Sequence, residues 1–504
     1  MSHWFRAVLA LVFCFQPTQA QRQLPGEKPK WVEARTANFR IFSQLTDNKT
    51  KDIALEFEAL RRIFLYIAPH PGGRRMQLDG NNPVDLFLFK DQKNFKPYCR
   101  FTGAWGMFIP QPWGNYMLLN AEHDTSVVIG RHEYVHYLVS QNFGRVPVWI
   151  NEGLAEFYST AKWDKKTISI GMPYMARLQS LRAAPPMPLG RLVQVGLSSP
   201  EYSQPRLVEN FYASCWLVTH YLLTDIVTQP KVWAFLRDLQ TGMGEDEAFA
   251  KNFGITHSEL DKKVVDHMND MFRGGRVKYW GIDAGSPMGG GSVETKPLTR
   301  QDALSRLGIL ALSESERERS FARAHFDAAL AVAPKHPLAL YGLGLLSQLL
   351  GRRGEAERLF IEAAPGCPEE AAAHRLAGWA YLHRYMTSDG GNPADIALGR
   401  EHLLHSIKLH PGSREIFELL VAGYEIDPSK DDLRQGIDFL MEMYAKRPWS
   451  VWIYLLAGKL QYSAGDYKEA AKTFNAVLAL QPDKPTADEA KNYLGMIEAR
   501  QGRS

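Results

Sequence analysis

The residues best suited to chemistry are the two histidines and the glutamate of His132-Glu133-Tyr134-Val135-His136, which matches the pattern HExxH. The motif lies in a helical period over 125–143, so His132 and His136 are one turn apart on the same face. Two imidazoles at that spacing can bind one Zn²⁺ at about 2.0 to 2.1 Å. Glu133, rotated by about 100° around the helix, can reach a metal-bound water. The pattern predicts a zinc site that activates water.

Such a site needs a third protein ligand. The longer HExxHxxGxxH pattern of metzincins is excluded, because Val139 stands at its glycine position and Asn142 at its last histidine position. Two carboxylates follow in the segment 149–158, which reads WINEGLAEFY. Glu152 and Glu156 are one helical turn apart. Their spacing alone leaves open which of them binds the metal and whether both are instead surface carboxylates.

With these two segments the sequence resembles the gluzincin metallopeptidases, in particular the peptidase MA-like proteins and, more distantly, the aminopeptidase N and thermolysin groups. In those enzymes HExxH is followed by a second helix with a glutamate zinc ligand, commonly within W-x-N-E-G-x-A. The resemblance covers roughly residues 31–274, and it implies that Glu152 is the third ligand. Glu156 would then accept the free N–H of a ligating histidine and fix its tautomer.

A donor for the oxyanion of the transition state is expected further downstream. The segment 210–221 resembles the helix that follows the zinc site in peptidase MA-like proteins, and related aminopeptidases carry a catalytic tyrosine about this far along. This resemblance implies that Tyr212 is the donor, and a core aromatic is the alternative because the helix is apolar. No GxMEN-type motif is found, which favours an endopeptidase over an aminopeptidase. The strand expected at 115–120 could pair with an extended substrate through its backbone.

The elements that must position these residues form a mixed pattern over 31–274, which is typical of an α+β domain. Strands are expected at 38–43, 84–89 and 115–120, and helices at 51–67, 125–143, 152–160, 210–223 and 258–271. Together with the resemblance, this pattern predicts a zincin-like metallopeptidase domain. Residues 286–296 contain three consecutive glycines and no periodicity, and we expect them to form a flexible linker.

The chain beyond this linker is helical and repeats itself with a period of 34 residues. The repeated set is Ala322, Phe326, Ala329 and Pro334, which recur as Ala356, Phe360, Ala363 and Pro368. These residues and their period resemble the tetratricopeptide repeat, in which small residues let two helices approach and the proline ends the second helix. We expect an all-α solenoid of five units over 301–482 with a capping helix over 486–501. A generic helical bundle is the alternative.

The whole chain has 504 residues, of which 45% are hydrophobic and 23% charged, as in globular proteins of several domains. Its net charge of +4 gives no basic stripe for nucleic acid. The apolar run Ala7 to Phe15, which follows Arg6 and precedes a small-residue cleavage site at Ala20, predicts a signal peptide over residues 1–20. Because a membrane anchor needs roughly 20 apolar residues, we expect an exported, periplasmic or secreted protein with no membrane span after cleavage.

These expectations combine into an exported zinc metallopeptidase with one Zn²⁺ per chain. His132, His136 and Glu152 would bind the metal, and Glu133 would move the proton. The repeats would recruit a peptide or protein substrate or a protein partner. The competing interpretation is an interaction protein, in which the repeats are the scaffold and the peptidase-like domain is inactive. The intact HExxH favours the enzyme.

Overall fold

The structure is a computed structural model that describes residues 23–26, 30–67, 83–100, 104–123, 125–143, 146–164, 167–283, 293–388, 391–426, 429–448, 450–480 and 482–501. The expected signal peptide and residues 286–292 of the expected linker lie outside these ranges. The chain forms two compact units, and from Val84 onward the first comprises Val84–Pro297 and the second Leu298–Ser504. Within the described residues, no helix combines the length and apolarity needed to cross a membrane.

The first unit contains nine strands and eleven helices in its described part. The strands are β1 (Val32–Arg35), β2 (Phe39–Ser43), β3 (Val84–Phe89), β4 (Gly106–Gln111), β5 (Gly114–Asn120), β6 (Lys162–Trp163), β7 (Thr167–Ile170), β8 (Trp280–Asp283) and β9 (Thr295–Pro297). The helices are α1 (Asp47–Ile67), α2 (Gln92–Phe95), α3 (Thr125–Phe143), α4 (Val148–Ser159), α5 (Met175–Ala183), α6 (Leu189–Leu192), α7 (Pro200–Ser203), α8 (Pro205–Thr224), α9 (Gln229–Gln240), α10 (Glu245–Phe253) and α11 (His257–Gly274).

Six of the strands form a mixed sheet in the order β4-β5-β3-β2-β1-β9. Strand β3 runs parallel to both of its neighbours, whereas β4, β1 and β9 pair antiparallel. All six residues of β3 are buried, as its nearly continuous apolar sequence predicts for a central strand. A second, antiparallel sheet has the order β6-β7-β8. The first unit is therefore an α+β domain with a mixed sheet.

The edge of the large sheet differs from the expectation for substrate pairing. Strand β5, which contains the segment 115–120, is hydrogen-bonded to β4 on one side and to β3 on the other. The backbone groups of β5 are therefore already hydrogen-bonded to neighbouring strands on both sides, and the expectation that β5 pairs with a substrate is wrong. Strand β4 forms the edge of the described sheet on this side.

The end of the expected linker also belongs to this sheet. Strand β9 pairs antiparallel with β1, with Val32 opposite Pro297 and Ala34 opposite Thr295. The side chain of Val293 is buried in the core of the same unit. The first domain therefore extends to Pro297 rather than to Gly274. A three-residue edge strand leaves no hydrophobic period in the sequence, because its contribution comes mainly from backbone hydrogen bonds on one side.

Aromatic packing fixes α3 on the sheet and leaves its histidines on the side of the helix that faces α4. The ring of Tyr134 lies 4.9 Å from that of Phe39 in β2 and 5.9 Å from that of Phe57 in α1, measured between centroids. Tyr134 occupies an x position of HExxH and lies on the opposite side of the helix from His132 and His136. Burial of this tyrosine therefore directs both histidines towards α4.

The second unit consists of paired helices. In its described part, five hairpins precede a final helix: α12 (Arg300–Ala311) with α13 (Glu316–Val332), α14 (Pro337–Leu349) with α15 (Arg353–Ala363), α16 (Ala371–Thr387) with α17 (Pro393–Leu409), α18 (Arg414–Glu425) with α19 (Lys430–Lys446), α20 (Val451–Ser463) with α21 (Tyr467–Ala479), and α22 (Lys484–Gln501). In two of these hairpins a phenylalanine of the second helix packs on a glycine of the first. A Cβ at Gly344 would lie 2.6 Å from the ring of Phe360, and one at Gly458 would lie 2.7 Å from that of Phe474.

Candidate metal centre

Helices α3 and α4 bring together the three residues expected to bind a metal. Nε2 of His132 lies 3.1 Å from Nε2 of His136 and 3.2 Å from Oε2 of Glu152. Nε2 of His136 lies 3.4 Å from the same carboxylate oxygen. The side chains of Glu152, His136 and His132 are 1%, 6% and 12% exposed. Each of the three side chains therefore offers one possible ligand atom, and these atoms all lie within 4.8 Å of one another.

The distances suit a tetrahedral ion. Ligands at about 2.0 to 2.1 Å from Zn²⁺ lie about 3.3 Å apart in a regular tetrahedron. The three donor atoms here are separated by 3.1 to 3.4 Å. Two imidazole nitrogens that face each other across a carboxylate oxygen form a donor set that zinc prefers. The residues present therefore fit Zn²⁺, and three protein ligands leave a fourth position for water.

Glu156 lies behind His132, on the side away from the other donors. Its Oε1 is 3.3 Å from Nδ1 of His132. Nε and Nη2 of Arg177 in α5 donate to the two oxygens of Glu156 at 3.0 and 2.9 Å. A carboxylate beside Nδ1 favours the tautomer with its hydrogen there, which leaves the lone pair of Nε2 free for a metal. In this arrangement Glu152 faces the donor cluster and Glu156 contacts its outer side.

Tyr202 of α7 holds the remaining oxygen of Glu152. Its Oη donates to Oε1 of Glu152 at 2.8 Å, and its side chain is buried. Sequence reasoning singled out neither Tyr202 nor Arg177. Tyr202 lies in a four-residue helix and Arg177 in the nine-residue helix α5, whose polar and apolar residues form no clear face. Neither position follows a motif that could have indicated its role.

Glu133 lies beside the donor cluster on the β4 side of α3. The backbone N–H of Phe108 in β4 donates to its carboxylate. Burial raises the pKa of Glu133, although the two nearby histidines oppose that shift. A carboxylate with a raised pKa accepts a proton more readily near neutral pH. Its placement and its environment therefore suit a general base.

Tyr212 of α8 lies next to His132, with 6.1 Å between the centroids of their rings. Its hydroxyl is buried and makes no hydrogen bond of good geometry within the described residues, although the side chain of Tyr202 lies close to it. Burial and the charges of Glu152 and Glu133 raise the pKa of Tyr212 well above its usual value. The hydroxyl therefore keeps its proton and can donate it to an incoming oxygen.

Close packing of α4 on α8 brings Tyr212 to the cluster. A Cβ at Gly153 would lie 2.6 Å from the carbonyl oxygen of Cys215 and would also collide with the hydroxyl of Thr219. Position 153 therefore requires glycine at this contact. Tyr212 precedes Thr219 by two helical turns and so lies on the same face of α8.

The electrostatics of the cluster bear on cation binding. Burial opposes charge on His132, but hydrogen bonds and charges from Glu152 and Glu156 raise its pKa to about 10. Burial also disfavours charge on Glu152, yet the charges and hydrogen bonds of the two histidines hold its pKa far below the usual value. The metal-free cluster therefore holds a proton at neutral pH. A metal has to displace this proton, so its binding weakens as the pH falls.

Two family models match parts of the chain. Residues 126–241, which include the whole candidate centre, match a protein of unknown function (DUF1570). Residues 455–504 match the tetratricopeptide repeat. No curated protein matches the chain.

Several solved structures are similar to about a third of the chain. YrrB, described as a tetratricopeptide protein with an unusual peptide-binding site, is 17% identical with a TM-score of 0.29, and the match covers 38% of this chain and 90% of YrrB. TTC0263, a tetratricopeptide protein of Thermus thermophilus, is 18% identical with a TM-score of 0.27, covering 38% and 98%. MamA of Desulfovibrio magneticus RS-1 is 18% identical with a TM-score of 0.28, covering 36% and 96%. The family model over residues 455–504 confirms the prediction of tetratricopeptide repeats at the C-terminus, where the chain forms a helical solenoid.

Proposed function

We propose that this protein is a zinc-dependent endopeptidase of the gluzincin type with a zincin-like N-terminal domain. The observation that supports the proposal is the convergence of one oxygen and two nitrogens, from Glu152, His132 and His136, at mutual distances of 3.1 to 3.4 Å. Zn²⁺ bound there would lower the pKa of a coordinated water from 15.7 towards about 7 and polarise the scissile carbonyl.

The side chains around the cluster carry out proton transfer and stabilise the negative charge of the transition state. Glu133 takes a proton from the water and passes it to the leaving amine. Tyr212 donates its hydroxyl hydrogen to the oxygen that becomes negative, which lowers the barrier because the donor is fixed in a buried position. Strand β4 lies at the edge of the sheet and offers backbone groups to an extended peptide. These groups lie beside Phe108 of the same strand, whose N–H donates to Glu133.

The tetratricopeptide solenoid suggests a protein partner, and we propose that it recruits a substrate or an accessory protein to the peptidase domain. We also propose export, on the basis of the signal-peptide pattern over residues 1–20. A scaffold without activity is the alternative. It would use the same solenoid but would give no role to the carboxylate Glu133 beside the cluster.

Metal analysis and peptide hydrolysis of the full-length protein test the proposal. We expect close to one Zn²⁺ per chain, and His132→Ala or His136→Ala should abolish it. Glu133→Gln should keep the metal and lose hydrolysis, because an amide cannot accept the proton of the water. Glu122→Gln, an exposed control that shortly precedes α3, should retain both. A wild-type protein without metal, or a Glu133→Gln variant with the wild-type rate, would contradict the proposal.

Tyr212→Phe tests the oxyanion donor. Removal of one hydroxyl should leave the zinc content unchanged and lower kcat by about 10²- to 10³-fold, with little change in KM. Steady-state kinetics on a short peptide would measure both constants. An unchanged kcat would assign Tyr212 to the core alone.

A further inference from the structure

We propose that Arg177 is a positioning residue of the metal centre, which acts through Glu156 on His132. The inference rests on the proposed zinc site. Nε and Nη2 of Arg177 donate to both oxygens of Glu156, at 3.0 and 2.9 Å, and Oε1 of Glu156 lies 3.3 Å from Nδ1 of His132. These contacts form a continuous path from α5 through α4 to the metal-binding face of α3.

Charge balance explains why the path needs a cation at its end. The side chain of Glu156 is 6% exposed, and a buried carboxylate without a cation is costly. In the described part of the chain its ion-pair partners are His132 and Arg177. When Nε2 of His132 binds a metal, the ring is neutral and cannot balance Glu156. A metal at Nε2 would be on the other side of the ring from Glu156, so Arg177 is the cation in direct contact with that carboxylate.

The geometry of the guanidinium matters as well as its charge. A planar fork fixes both oxygens of a carboxylate at once, whereas a lysine ammonium is a point charge that lets the carboxylate rotate. Rotation of Glu156 would change the direction of its hydrogen bond with Nδ1 and hence the orientation of the His132 ring. The fork also engages both oxygens of Glu156, which favours Glu152 as the metal ligand.

Arg177 also contacts the proposed oxyanion donor. Its guanidinium carbon lies 5.1 Å from the centroid of the Tyr212 ring, within the range of a cation–π contact. Its Nη1 pairs with Glu209 on the same helix, α8. Arg177 therefore packs between the histidine support and Tyr212, and its removal should affect both.

Zinc affinity of the full-length protein, measured by competition with a chelator, tests the inference without reference to activity. Arg177→Met keeps much of the side-chain length and removes the charge and the fork. We expect zinc binding about 10- to 100-fold weaker, the usual effect of removing a support behind a ligand. Arg177→Lys should recover part of that loss. Arg182→Met is the matched control: Arg182 lies on the same helix but stacks on Phe272, and its loss should leave zinc affinity unchanged.

A double variant separates a relay from a general packing effect. If Arg177 acts through Glu156, the combination of Arg177→Met with Glu156→Gln should bind zinc no more weakly than Glu156→Gln alone. Additive losses, or wild-type zinc affinity in Arg177→Met, would overturn the inference and leave the proposed peptidase intact. A wild-type protein that binds no zinc would overturn both. If Arg177→Met does not fold, Arg177→Lys decides, and its wild-type affinity would refute the need for a fork.

Discussion

Two of the proposed ligands at the candidate centre are held from behind by a second side chain. Glu156 supports His132, and Tyr202 supports Glu152. Such support fixes the direction of the donor atoms before a metal arrives, so less order has to be imposed on binding. The cluster is therefore built as a unit of five or more side chains rather than as three ligands.

Removal of the Tyr202 hydroxyl tests this support. Tyr202→Phe leaves Oε1 of the buried Glu152 without its hydrogen bond, which should cost about 1 to 3 kcal/mol in the free energy of unfolding of the metal-free protein. Zinc affinity should fall by about 10- to 100-fold. Denaturant unfolding and chelator competition measure the two effects. Wild-type values in both would show that the hydrogen bond has no role.

At the scale of single residues, the sequence predicted those that belong to a motif but not those that support them. HExxH and the segment 149–158 identify His132, Glu133, His136, Glu152 and Glu156, and the structure places all five together. Tyr202 and Arg177 come from the segment between α4 and α8, which has no repeated spacing. Their roles depend on how this segment folds across the site, and no local sequence pattern predicts that path.

At the scale of elements, helices α4 and α8 pack so closely that there is no space for a side chain at position 153. Gly153→Ala would place a methyl group against the carbonyl of Cys215 and the hydroxyl of Thr219. Overpacking of this kind usually costs about 1 to 3 kcal/mol of stability. The helices should separate, so we also expect lower kcat as Tyr212 moves away. Thermal unfolding and peptide kinetics measure these effects, and unchanged values would mean that the helices adjust freely. Gly190→Ala is the control, because its Cβ would meet open space.

Helices α8 and α11 are joined by a pair of histidines that must stay neutral. Nε2–H of His220 donates to the carbonyl of Lys278 at 2.8 Å, so its Nδ1 accepts from Nε2–H of His267 at 2.9 Å. Burial and the neighbouring His267 lower the pKa of His220 to about 3. The unfolded chain, with an ordinary pKa of about 6.5, binds the proton more readily. The contribution of neutral His220 to the free energy of unfolding is therefore fully present above about pH 6.5 and is lost as the pH falls towards 3.

The variant His220→Gln tests this dependence, because an amide can make both hydrogen bonds but does not titrate. The wild type should lose up to about 1.4 kcal/mol per pH unit more than the variant between pH 6 and 4. Urea unfolding at a series of pH values measures the difference. His257→Gln, a partly exposed histidine of α11, should follow the wild type. Parallel curves for wild type and His220→Gln would refute the assignment.

At the scale of the whole molecule, the boundary between the two units decides which fragment can fold. Strand β8 pairs with β7, and β9 pairs with β1, so both complete sheets of the first unit. A chain that ends at Gly274 lacks both strands and loses the Lys278 carbonyl that accepts from His220. The boundary predicted from the sequence lies too early in the chain, because no helix or strand was predicted directly after residue 274. The 34-residue period, by contrast, predicted the solenoid from its repeated residues alone.

Two truncated proteins test the boundary. A chain that ends at Pro297 should fold, bind close to one Zn²⁺ and cleave a short unstructured peptide at the full-length rate. A chain that ends at Gly274 should be less stable or insoluble. Turnover of a large protein substrate should fall in both, since both lack the solenoid that we propose to raise the effective concentration of that substrate. Equal stability of the two fragments would contradict the boundary, and full-length turnover of the large substrate would remove recruitment from the role of the solenoid.

The pairing of β1 with β9 also sets an order of events during synthesis. Val32 and Pro297 lie side by side in the sheet but about 265 residues apart in the chain. At roughly 5 to 20 residues per second, the outer edge of β1 waits about 13 to 53 seconds on the ribosome before its partner has been made. An unpaired strand edge attracts other extended chains during that interval. A nascent chain of this protein is therefore expected to need a holding factor until β9 is added. The first domain then matures after its last strand rather than after the helices of the candidate metal centre.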